Sequence, residues 1–158
     1  MYRRLCFALI SLCTAVWGWE AGAQSPASGT SRYGLEWNYQ DMNLSAMMVL
    51  KTFGAEKKGV IMNEFGLNFL EFDIDKKGKA RVAYLHPMLR RPFVKRMLRK
   101  DLRLLHACME ASSLDNVDAG LRKGLDLSGS WDENQVMTSV QIQHRTPAMT
   151  LRIFGLEN

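Results

Sequence analysis

The sequence predicts an α+β fold in which a curved antiparallel sheet packs on one basic amphipathic helix. Three observations carry that expectation. Residues 66–75 alternate, with Leu70, Phe72 and Ile74 on one face and Glu71, Asp73 and Asp75 on the other, the period of a half-buried strand. Residues 88–109 break that period and place Val94, Leu98, Leu102, Leu105 and Met109 at spacings of four, four, three and four, which is the stripe of a helix. After Trp131 the alternation returns, first in Thr138, Val140 and Ile142 and then in Met149, Leu151 and Ile153. Strands, one helix and a terminal hairpin in that order describe a sheet wrapped around, or plugged by, a helix.

Residues 1–23 read as a secretory signal: Arg3 and Arg4 give a cationic start, Leu5 to Val16 are almost continuously apolar, and Ala21-Gly22-Ala23 is a small-x-small cleavage site. The apolar run falls short of the roughly 20 helical residues that span a bilayer, so export with cleavage after Ala23 is expected. Ile10-Ser11-Leu12-Cys13 offers a competing lipoprotein signal, with an outer-membrane anchor on Cys13. Leu12 is bulky for the position before a lipidated cysteine, and Cys13 interrupts the apolar run. Cleavage removes Cys6 and Cys13 and leaves Cys108 alone, which excludes an intramolecular disulfide and makes Cys108 a buried small hydrophobe.

Residues 24–32, rich in Ser, Gly, Ala and Thr, are expected to be a disordered leader, and residues 33–158 a single domain. From Asn43, Ala46, Met48 and Leu50 lie on one side of a strand and Met47 and Val49 on the other, so this strand is central or lines a cavity. Lys57-Lys58-Gly59 reads as a turn before a short run from Val60 to Asn63. Asp75 to Lys79 is a hairpin connection, with Gly78 where positive φ is needed, and Ala80, Val82 and Tyr84 form the return strand. Pro92 suits the first turn of the helix, whose apolar stripe is widened by Phe93, Met97, Leu104 and Cys108. Glu110 to Ser130, punctuated by Gly120, Gly124 and Gly129, reads as a loop with one short helical turn.

No constellation of residues points to catalysis. His86, His106 and His144 are widely separated, each without a histidine three or four residues away or an adjacent carboxylate, so no metal or cofactor is expected. There is no phosphate-cradling glycine loop and no nucleophile elbow. Glu71, Asp73 and Asp75 fit the solvated face of a strand. Asp101 is the exception within its element: at 100° per residue it shares the apolar side of the helix with Val94, Leu98 and Leu105. A buried carboxylate needs a charge-assisted hydrogen bond, so Asp101 is expected to be structural, tying the helix to Arg81, Arg91 or the turn before Trp131.

The charge is concentrated. The whole chain carries a formal +5. Residues 90–103 hold seven basic side chains against Asp101 alone, and what remains of the mature chain sums to −2. Lys95, Arg96, Arg99, Lys100 and Arg103 therefore make one basic face, suited to an anionic membrane surface or an acidic envelope protein. Export and the lack of interleaved aromatic residues argue against nucleic acid.

Asn63-Glu64-Phe65-Gly66, followed by Phe69, Phe72-Asp73 and a basic helix ending Leu98-Arg99-Lys100-Asp101-Leu102-Arg103-Leu104-Leu105, resembles small LolB-like envelope proteins. These are relatives of the lipoprotein-localisation carriers of the LolA and LolB type. The resemblance covers roughly residues 45–105. It implies a half-open barrel with a helical lid, a periplasmic location, and an apolar cavity for the acyl chains of a lipid or lipoprotein. It also implies that Asp101 belongs to a recurrent structural motif. The cavity lining would be Met48, Leu50, Leu70, Phe72 and Ile74, which would equally be core if no cavity exists. A poor lipobox and a shorter chain set this sequence apart from the full carriers. The competing expectation is an envelope interaction module, accessory to a lipid or polymer biosynthesis or export system, that holds no ligand. An enzyme ranks third.

Overall fold

The alternation of apolar and polar residues organises about half of the described residues into strands, and the computed structural model describes residues 28–39 and 42–156. The strands are β1 (Ser28–Tyr39), β2 (Met42–Phe53), β3 (Glu56–Met62), β4 (Asn68–Ile74), β5 (Ala80–Leu85), β6 (Leu125–Trp131), β7 (Met137–His144) and β8 (Met149–Gly155). One long helix, α1 (Pro92–Glu110), and one short helix, α2 (Ala119–Arg122), lie between β5 and β6. The strands form a single antiparallel sheet in the order β5-β4-β3-β2-β1-β8-β7-β6. A five-strand meander is thus extended on its β1 side by the last three strands, with Tyr39 opposite Met149 and Tyr33 opposite Gly155. β5 and β6 remain as edges, so the sheet is curved but not closed, and the class is α+β.

One face of this sheet is the core. Leu35, Trp37, Met48, Leu50, Ile61, Leu70, Phe72, Ile74, Val140, Ile142, Leu151 and Ile153 are buried together with Val94, Leu98, Leu102 and Leu105 of α1. Pro92 occupies the first turn of α1, where its missing N–H costs nothing. α1 packs against β5 and β7. The connections β1–β2 and β3–β4, the β5–α1 segment and the β7–β8 turn all lie at one end of the sheet, as the meander and the Tyr39–Met149 register require.

Four expectations need correction. Residues 28–32, expected in a disordered leader, belong to β1 and pair with residues 49–53 of β2. The long ladder with β2 outweighs the weak strand preference of Ser and Gly. Lys57-Lys58-Gly59 is not a turn but the middle of β3, and the chain reverses at Gly54, whose φ is +60°. Gly59 is in the strand because the Phe72 ring lies over it: a Cβ there would sit 2.1 Å from Phe72 Cζ. Part of the expected 110–130 loop is β6, an edge strand paired with β7 in which Leu125, Leu127, Gly129 and Trp131 are half-buried and Asp126, Ser128 and Ser130 exposed. Phe93, expected to widen the apolar stripe of α1, is exposed and sets its ring against Tyr39, tilted by 47° with the centroids 6.1 Å apart. The β4–β5 hairpin forms as expected, with Gly78 at φ +72°. The expected signal at 1–23 and the first residues of the leader lie outside the described residues.

The ring over Gly59 gives a direct test of this packing. Gly59→Val should destabilise the protein by about 1–3 kcal/mol through overpacking, whereas Gly29→Val in β1, with nothing within 4 Å of its Cβ position, should leave the urea midpoint nearly unchanged.

Candidate functional site

The site is built where α1 crosses the apolar face of the sheet. Between them is a cavity of about 30 Å³, lined by Leu35 and Trp37 of β1, Met48 of β2, Leu70 of β4, Leu151 and Ile153 of β8, and Leu98, Asp101, Leu102 and Leu105 of α1. That space admits on the order of two water molecules. Of the residues expected to line a ligand cavity, Met48 and Leu70 do so, while Leu50, Phe72 and Ile74 are buried in the same core away from it. Trp37, Leu35 and the β8 residues were missed because β1 was not read as a strand. Its alternation of Tyr33, Leu35, Trp37 and Tyr39 was the available signal.

Asp101 is 1% exposed. Its partner is neither Arg81, Arg91 nor the turn before Trp131 but His144 at the end of β7, whose Nε2 lies 2.9 Å from Asp101 Oδ1. The expectation that the histidines stand apart from carboxylates is therefore corrected for His144: the two residues are 43 positions apart in sequence and meet only through the packing of α1 on β7. Arg81 instead donates to Asp73 across the β4–β5 ladder at 2.7 Å. Asp101 Oδ2 and Trp37 Nε1 have no hydrogen-bond partner among the described residues. Burial pushes the Asp101 carboxyl up from its ordinary value, opposed by the contact with His144.

A second polar fastening lies at the carboxyl-terminal end of α1. Lys57, buried in β3, pairs with Glu110 in the last turn of the helix, and the Lys57 ammonium holds the Glu110 carboxyl below its usual range. His106, one turn earlier, packs beside Gly78 of the β4–β5 turn, and burial, helped by Lys57, lowers its pKa. Cys108 is fully buried on the same helix, and desolvation raises its thiol to about 11, which makes it an inert packing group.

Lys95, Arg96, Arg99 and Arg103 are exposed, and Lys100 is half-buried with its ammonium donating to the Lys123 carbonyl at 2.8 Å. Sequence reasoning overlooked an apolar tip. At the end of the sheet that holds the β1–β2 and β3–β4 connections, Met42, Phe65, Leu67 and Met88 are exposed, Phe65 to 85%. Asn63 Oδ1 accepts from the amides of Phe65 and Leu67 at 3.1 and 2.8 Å, an arrangement that fixes the loop and holds Phe65 in solvent. Arg90 and Arg91 flank the same end.

The fastening of α1 by Asp101 can be tested by titration. A carboxyl whose pKa is raised on folding contributes stability that is complete below its unfolded value near 3.8 and is lost as pH rises through the raised folded value. Asp101→Asn should therefore flatten the stability profile above pH 4, whereas His144→Ala, which strips a buried carboxylate of its partner, should cost about 3–5 kcal/mol at pH 7. Urea midpoints measured across that range would show both effects.

No protein-family model matches the chain, and a search of curated proteins finds no match to it either.

Proposed function

We propose that the protein is a non-enzymatic periplasmic carrier of the LolA/LolB type that binds the acyl chains of a lipid or lipoprotein. In this reading the sheet is a half-open barrel, α1 is its lid, and the lid is a basic amphipathic helix whose outer face meets anionic lipid or an acidic partner. The observation that carries it is that one long helix covers an apolar sheet face lying between two unpaired edges. Displacing that single element would open the whole face, and acyl chains could take the space now filled by Leu98, Leu102 and Leu105. Affinity would come from apolar burial at about 25 cal/mol per Å². The tip supports the same reading, because exposed Phe65 and Met88 beside Arg90 and Arg91 match the chemistry of an anionic bilayer interface.

A second reading is favoured by the near-filled interior. With a cavity of about 30 Å³, the chain would be an envelope interaction module that holds no ligand and engages a protein through the basic helix.

Native mass spectrometry of the protein purified from its own envelope should reveal co-purifying lipid; a consistently empty protein would sink the carrier reading and leave the second. Charge reversal at Arg96, Arg99 and Arg103 should abolish binding to anionic vesicles. Phe65→Ser should weaken that binding about tenfold or more, from the loss of one buried aromatic ring, with the urea midpoint unchanged. Vesicle binding insensitive to salt and to both changes would refute the membrane-facing assignment.

A further inference from the structure

Two grooves lie between β5 and α1. One, of about 440 Å³, is lined by the four consecutive strand residues Val82 to Leu85 together with Arg90, Arg91 and Lys95. The other, of about 800 Å³, spans the adjoining ends of β3, β4 and β5, from residues 56–58 and 73–75 to residues 79–81, and is closed by Arg99 and Arg103 of α1. The β4–β5 register passes from Glu71–Tyr84 to Phe72–Val82 and skips Ala83, so a bulge turns part of this stretch outward, and the groove follows the strand's free side. β5 ends the sheet, and an edge strand presents unpaired N–H and C=O groups. Among the described residues, the only hydrogen bond reaching its backbone from outside the β4 ladder is that from Arg90 Nε to the Leu85 carbonyl, at 2.9 Å.

α1 runs beside this edge in the opposite sense, with Lys95 next to residues 82–85 and Arg99 and Arg103 next to residues 79–81. Lys95, Arg99 and Arg103 follow one another at four-residue steps, about 6 Å apart along the helix axis. An extended chain returns to the same side every two residues, about 6.7 Å. The two rows match closely enough for flexible side chains to take up the difference. None of the three cations is ion-paired among the described residues. The acids of the groove are largely engaged: Asp73 accepts from Arg81, and Asp75 accepts from the Lys77 and Lys79 amides, leaving Glu56.

The geometry points to this groove as the docking site for an extended acidic segment of a partner protein. The segment adds to the free edge of β5 while carboxylates at its alternate positions meet Lys95, Arg99 and Arg103. The irregularity in the β4–β5 ladder between Glu71 and Phe72 keeps the added strand short. A layer of lipid headgroups would meet the charges but leave the backbone groups of the edge unpaired, which favours a peptide. The inference rests on the basic-surface half of the proposed function and not on the interior's holding a ligand.

The test uses the full chain and two synthetic nonapeptides of one composition, glutamate and threonine, with the glutamates either at alternate positions or in one block. The alternating peptide should bind at least about tenfold more tightly and should slow hydrogen exchange of the outward β5 amides. Binding should weaken at least about tenfold with Lys95→Glu, Arg99→Glu and Arg103→Glu combined, and in high salt, but little with Arg32→Glu on β1. Equal binding of the two peptides, or unchanged β5 exchange, would overturn the inference. If anionic vesicles bind through the three cations while the peptide leaves β5 unprotected, the inference fails and the membrane-facing reading stands. If neither binds, both fail.

Discussion

Eight antiparallel strands present one continuous apolar face, and among the described residues α1 is the only long element that covers it. Everything else follows from that constraint. The stripe Val94, Leu98, Leu102 and Leu105 must fill the concavity of the sheet, so the outer face of the same helix is free to be charged. The helix packs against β5 and β7, which sets Lys95, Arg99 and Arg103 beside β5 and not on an isolated surface.

Hydrophobic contact is non-directional, and a helix on a curved sheet could slide along its stripe. The two polar fastenings set its position. Asp101 reaches β7 through His144, and Glu110 reaches β3 through Lys57, so contacts from both halves of the sheet fix the helix at its middle and at its last turn. The Asp101 fastening is the costlier of the two, since a carboxylate 1% exposed gives up its hydration and recovers one hydrogen bond. Such a pair adds specificity of placement more than net stability. The helix thus has one preferred position without being held there irreversibly.

The sequence made some of this legible and concealed the rest for identifiable reasons. The β4–β5 hairpin and α1 were readable because their patterns are local: alternation on either side of Gly78, and a stripe at helical spacing. The burial of Asp101 was readable by the same rule, but its partner was not, because nothing in residues 95–110 indicates that β7 will lie beneath them. β1 and β6 were obscured by Ser and Gly, residues with weak strand preference that become strand because a neighbour supplies the ladder. Gly59 misled in the opposite direction. Its lack of a side chain serves the Phe72 ring, a contact from the next strand, and not a reversal of the chain. The apolar tip could have been suspected from Asn63-Glu64-Phe65-Gly66, in which an aromatic residue stands within a turn sequence.

The pairing of β8 with β1 has a kinetic meaning. β1 is the first described strand and β8 the last, and their register joins Leu35 to Ile153 and Trp37 to Leu151. A chain folding from its amino-terminal end would form the β1–β5 meander from near-neighbour contacts and would then wait. Until β8 arrived, β1 would carry a second open edge bordered by apolar side chains, and the two halves of the core would be incomplete. Contacts so distant in sequence make the final step slow relative to the hairpins. The interval before it is when the polypeptide is most exposed to unwanted strand pairing.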